Sequence, residues 1–218
     1  MRVIKDYSFL FQQTFGTKKK NMIGSFQLSQ LNSSSVQAQL KAAGINTNSN
    51  QYKAVMKQMM SNANGAMYTN VQAIKNLMQN YDKDGDFIDP TTGLTGLLVT
   101  KENEHTRKRI ISIPESSKDE MFELTKKEFL RENGIANGDT TRRSDVYTNM
   151  YRKVTKNDRL AAGYTMEQYE RAYRRAFVEA AKKADPSWKI GKSIPTGALD
   201  GITRESVENA MKSVDVKV

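Results

Sequence analysis

The stretch "NYDKDGDFIDPTT" carries Asn80, Asp82, Asp84, Asp86 and Asp89 in a 218-residue chain whose formal net charge is +10. Oxygen-bearing side chains spaced by two in a tight loop converge on one point. That suits calcium, which takes roughly six to eight oxygen ligands. Two registers can be drawn. Starting at Asp82 puts acids at loop positions 1, 3 and 5 but places Phe87 where a sharp turn wants glycine. Starting at Asn80 fits better: Asn80, Asp82 and Asp84 occupy 1, 3 and 5, Gly85 is the turn glycine, Asp86 offers its carbonyl and Phe87 takes the apolar position 8. Position 12 is then Thr91 rather than a bidentate glutamate, with Asp89 as the substitute ligand. The stretch resembles the first half of an EF-hand, and calcium is the one cofactor it suggests, with an affinity of about 10⁻⁴–10⁻³ M. The competing reading is a helix that stops at Gly85, with acids solvating the turn.

Basic residues offer a second chemistry. Lys18, Lys19 and Lys20, then Arg107, Lys108 and Arg109, then Arg142 and Arg143 could together hold a polyanion or nucleic acid. A further group, Arg171, Arg174, Arg175, Lys182 and Lys183, is partly matched by acids. Glu167–Arg171, Glu170–Arg174 and Glu179–Lys183 are i, i+4 pairs with the acid on the favourable N-terminal side, as on a solvated helix face. Neither a helix-turn-helix spacing nor an aromatic RNA-binding signature accompanies them.

Catalytic chemistry finds less to work with, and no catalytic residue is assigned. There are no cysteines, which removes disulfides, thiolate nucleophiles and thiolate metal sites together. His105 is the single histidine and has no candidate nucleophile fixed beside it. "IGKS" has the end of a phosphate loop but Pro186 where that motif needs glycine.

The elements that position these residues read as mainly α-helical with one small antiparallel β-hairpin. Residues 1–33 hold one acid, Asp6, against five bases and are rich in Ser, Gln and Asn, so they read as an acid-poor arm or loosely docked segment. Residues 34–218 read as a single mainly helical domain. Ser34 with Gln37 makes a capping box for a helix stopped by Gly44. Tyr52, Val55, Met56, Met59 and Met60 form an amphipathic stripe. A box at Thr69/Gln72 opens a helix that runs into the aspartates. The β-branched runs "GLLVT" and "RKRIISIP" predict the hairpin, near 96–114. A box at Ser117/Glu120 opens the next helix, which ends at Gly134. Helices follow around "RSDVYTNMYRKV", at "MEQYERAYRRAFVEAAKKA" with a Thr165/Gln168 box, and at "RESVENAMKSV".

No run approaches the roughly eighteen apolar residues of a membrane helix. The start "MRVIKDYSFLFQQTFG" interrupts its apolar residues with Lys5, Asp6, Gln12 and Gln13, so no Sec-type signal is expected. The cytoplasm is the default address, with non-Sec export left open.

Through "NGDTTRRSDVYTNMYRKVTKNDRLAAGYTMEQYERAYRRAF", residues 70–211 resemble uncharacterised proteins of gut-dwelling clostridia. The resemblance implies a bacterial source and brings no activity or site residues with it. The expectation is therefore a non-enzymatic protein that binds an unknown protein partner and is stabilised by weak calcium. The alternative is a polyanion or nucleic-acid binder of phage or mobile-element type, and an unrecognised hydrolase comes third.

Overall fold

A computed structural model describes residues 24–62, 67–101, 103–136 and 140–215. Among the described residues the chain divides into two compact units, one before residue 100 and one from residue 100 on. Each unit has its own core.

In the first unit, strand β1 (Phe26–Gln27) leads through a 3₁₀ turn (Leu28–Gln30) to α1 (Ser34–Ala42) and α2 (Asn50–Asn62). Strand β2 (Tyr68–Thr69) and α3 (Val71–Met78) follow. The two strands pair antiparallel, Phe26 opposite Thr69 and Gln27 opposite Tyr68, and Leu28 N continues the contact to Met67 O at 2.9 Å. Phe26, Leu28 and Leu31 are buried with Val36, Leu40, Val55, Met59, Ile74 and Leu77. The expected loosely docked segment is thus corrected over 26–31, where the apolar side chains are core. Residues 1–23, with "YSFLF" and Lys18, Lys19 and Lys20, lie outside the described residues.

Two helix starts differ from expectation by one residue. Ser33, not Ser34, caps α1, its Oγ accepting from Val36 N, while the Gln37 side chain donates to Leu31 O at 2.7 Å. Asn70, not Thr69, caps α3 by accepting from Ala73 N at 2.8 Å. Thr69 is fully buried in β2.

The second unit contains α4 (Glu104–Arg107), α5 (Glu115–Arg131), α6 (Thr140–Lys153), a 3₁₀ turn (Lys156–Asp158), α7 (Arg159–Ala184) and α8 (Arg204–Asp215). The hairpin expected near 96–114 is not formed. Among the described residues this span has no strand, and α4 occupies part of it. Its β-branched residues are spent on helices instead: Ile111 N donates to Thr165 Oγ1 at 3.0 Å, and Ile113 is buried. Thr165 therefore lies inside α7, six residues past its start, rather than capping it. Likewise α5 opens after Pro114, which leaves Ser117 buried within the helix. The core is aromatic. Phe122 meets Tyr173 at 5.1 Å and Phe177 at 5.5 Å, and Phe129 meets Phe177 at 5.6 Å and Trp188 at 5.9 Å. Such edge and tilted pairs add about 0.5–1.5 kcal/mol each beyond the area they bury.

A charged cluster fastens α8. Glu208 accepts from Tyr173 Oη at 3.0 Å, Lys118 Nζ at 3.2 Å and Arg204 Nη1 at 2.9 Å. Glu115 takes Lys118 at 2.5 Å and Arg204 at 2.6 Å. Hydrogen bonds from Lys118 and Arg204 hold the Glu115 carboxyl below its ordinary value of 4.5. Burial pulls the Lys118 ammonium down, but its bonds to Glu115 and Glu208 outweigh that and hold it above its ordinary 10.5. The stabilisation from Glu115 is complete above pH 4.5 and is lost as pH falls through its lowered folded value. That from Lys118 is complete below pH 10.5 and is lost as pH rises through its raised value. The denaturant midpoint is therefore expected to drop at both acid and strongly alkaline pH, and Glu115→Gln should flatten the acid limb. An unchanged acid limb in that variant would show that the cluster does not couple to folding.

Candidate functional site

The aspartate loop is built at the end of α3. Tyr81 and Phe87 form an isolated antiparallel bridge, their rings edge to face at 5.6 Å, and both side chains are buried. This apolar clamp closes the six-residue step between them, so Asp82, Asp84 and Asp86 lie inside it. One carboxylate oxygen from each lies within 4.8 Å of the others. Asp82 Oδ1 accepts from the backbone N–H groups of Asp84 and Asp86, each at 2.9 Å, and Asp82 N donates to Asp86 O. Gly85 has φ +86°, and an ideal Cβ there would stand 2.8 Å from Asn50 O at the start of α2. Only glycine fits both the left-handed turn and that close approach.

The loop thus gathers Asp82, Asp84 and Asp86, on which both registers draw. Asn80 lies outside the clamp, and its carbonyl accepts from Ile88 N at 2.8 Å. Asp89 turns the other way: its Oδ1 takes Thr91 N, Thr92 N and Thr92 Oγ1 at 2.8–3.0 Å, which forms a separate turn. Asp89 is not among the clustered carboxylates. Asp82 and Asp86 are half-buried and Asp84 is exposed. What the geometry can do chemically is present carboxylate oxygens to a hard cation.

The basic clusters have separate fates. Arg109 pairs with Asp158 at 2.7 Å. Arg142 and Lys108 are exposed, and Arg107 is half-buried. Arg143 is turned inward. It donates to the buried Glu128, and its Nε stands 3.2 Å from Glu170 Oε1. His105 sits exposed on α4.

On α7, the Glu167–Arg171 pair forms at 2.6 Å. Arg174 reaches both Glu170 and Glu128, at 3.7 and 3.4 Å. Among the described residues no Glu179–Lys183 pair is formed, and Arg175 and Lys182 take part in no ion pair.

Beside these two cations lies a groove of about 430 Å³, floored by Phe129 and walled by Val178, Ala136 and Ile190. Sequence reasoning passed over it because the groove is assembled from two stretches far apart in the chain. The available signal was the stripe Arg175, Val178, Glu179, Lys182 at i, i+3, i+4, i+7.

A family model described as "Domain of unknown function (DUF3879)" matches residues 45–218. The chain belongs to that family. The DUF3879 match takes in both the aspartate loop and the groove, and begins after α1. No curated protein and no solved structure matches the chain. Among the described residues, no helix is long and apolar enough to cross a membrane.

Proposed function

We propose that the chain is a non-enzymatic interaction protein of bacterial origin whose aspartate loop is fastened by weakly held calcium. The observation that carries the calcium reading is the convergence of Asp82, Asp84 and Asp86, with oxygens within 4.8 Å of one another at the spacing a calcium loop uses. An interaction role draws its support from Leu130, Ile135 and Ile190, large apolar side chains left exposed in the second unit. The bacterial origin rests on the resemblance of residues 70–211.

Calcium that binds only the folded state stabilises it by RT ln(1 + [L]/Kd), about 1.4 kcal/mol at ten times the Kd. The melting temperature is therefore expected to rise by a few degrees in millimolar calcium. Magnesium, which demands a tighter octahedron, should raise it less. Asp82→Asn with Asp84→Asn should abolish the rise. If millimolar calcium leaves melting unchanged, the loop is an acidic helix stop.

The alternative, polyanion binding, draws on the exposed Lys108 and Arg142. It would appear as DNA affinity that falls steeply with salt.

A further inference from the structure

We propose that the groove between α7 and the 188–192 loop docks an acidic segment of a partner protein, one apolar side chain entering the groove while flanking carboxylates meet Arg175 and Lys182. The proposal rests on the reading of the chain as an interaction protein. It is independent of the calcium loop, which belongs to the other unit.

The backbone beside the groove is tightly packed. Gly134 has φ +80°, and an ideal Cβ there would press to 3.1 Å from Trp188 and 3.3 Å from Phe129. Trp188 is itself fixed, buried with its Nε1 donating to Lys192 O at 3.0 Å, and Gly191 N is tied to Asn133 O at 2.8 Å. The apolar surface is therefore pre-formed, which lowers the ordering cost of binding. Ile190 is 60% exposed and Ile135 43%, although Phe129 beneath is almost wholly buried. A groove of this kind offers an apolar side chain a site it can fill.

Charge decides the kind of occupant. Arg174 on the rim is committed to Glu128 and Glu170, while Arg175 and Lys182 are exposed and form no ion pair among the described residues. They stand seven residues apart on α7, about 10 Å along its axis. An extended peptide puts residues i, i+2 and i+4 on one face, with i and i+4 about 13 Å apart, within the reach of two long cationic side chains, so acids at i and i+4 with an apolar residue at i+2 match the pair. Glu179 lies between the two cations and lines the same groove. A flat anionic bilayer would bring its charge against Glu179, whereas a peptide can set its two carboxylates on either side of it. The observations therefore favour a peptide over a membrane.

The test is fluorescence anisotropy with the full chain and a labelled peptide Gly-Ser-Glu-Ser-Leu-Ser-Glu-Ser-Gly at low salt. Saturable binding with a Kd below about 100 µM is expected, weakening as salt rises. Replacing the peptide's Leu by Ser, or both Glu by Gln, should weaken it about tenfold or more. The protein variants Arg175→Glu/Lys182→Glu and, separately, Ile190→Ser should do the same at an unchanged melting temperature. No saturation up to about 1 mM would overturn the proposal. So would binding only to phosphatidylserine vesicles, or self-association that the same variants abolish. Affinity retained by the double variant would refute the groove while leaving the interaction reading in place. Loss of the calcium response alone would touch neither.

Discussion

Glu128→Ala is expected to destabilise residues 100–218 by about 3–5 kcal/mol, the cost of removing one partner from a buried ion pair. Glu128 is 1% exposed and receives both Arg143 and Arg174, each of which has a side chain only 19% exposed. Without it, two guanidinium groups share Glu170 alone. The loss should come from the stranded charges rather than from missing contact area. Glu128→Leu combined with Arg143→Met should therefore recover most of the stability, since well-packed apolar replacements of buried ion pairs are often neutral or better. Chemical denaturation of the single and double variants checks this. A double variant as unstable as Glu128→Ala would show that Glu128 acts through packing. Its second oxygen, Oε1, makes no hydrogen bond, and Thr125 Oγ1 and Ser117 Oγ on the same helix are also buried without one. The cluster is thus already carrying a polar cost, which makes recovery by apolar side chains easier.

Phe26→Ala is expected to cost about 3–5 kcal/mol, as for other buried phenylalanines. The side chain is 5% exposed and packs in the core of the first unit, although sequence composition places it in a loosely docked segment. A surface residue would change stability by no more than about 0.5 kcal/mol, so the two outcomes are well separated. A small effect on the denaturant midpoint would return residues 24–31 to the status of an arm.

The miss at Phe26 shows what the sequence carried and what it did not. Over its first thirty-three residues the chain is acid-poor and rich in Ser, Gln and Asn. The three apolar residues that matter, Phe26, Leu28 and Leu31, are too few to mark a helix or strand by period. They are fixed by pairing with Tyr68 and Thr69, a contact that no local window contains. Helices with long stripes were legible: Val55 and Met59 are fully buried as the spacing implied, and Gly44 and Gly134 take the left-handed stops expected of them. The start of α7 was hidden because "RLAAG" has a glycine where a helix interior would avoid one. Gly163 is there because Tyr151 crosses so closely that a Cβ would stand 2.5 Å from its hydroxyl. "RIISIP" shows the reverse error. Its β-branched residues do favour extended backbone, but a ladder needs a partner strand, and among the described residues Ile111 finds the hydroxyl of Thr165 instead. At the aspartate loop the acids were legible, but the Tyr81–Phe87 clamp that draws them together was not, because it depends on ring packing rather than on loop grammar. The groove was illegible because Val178 and Ile190 meet only after the chain has turned back through Trp188.

The β1–β2 ladder also sets an order of events during synthesis. Phe26 emerges from the ribosome about forty residues before Thr69, its partner. At roughly 5–20 residues per second, that leaves a few seconds in which Phe26, Leu28 and Leu31 have no strand to join. The first unit cannot close until β2 and α3 have been made, so its folding waits on a distant contact rather than on local helix formation. For that interval a nascent chain presents an apolar edge to its surroundings, and slowing translation after residue 31 would lengthen the exposure in proportion.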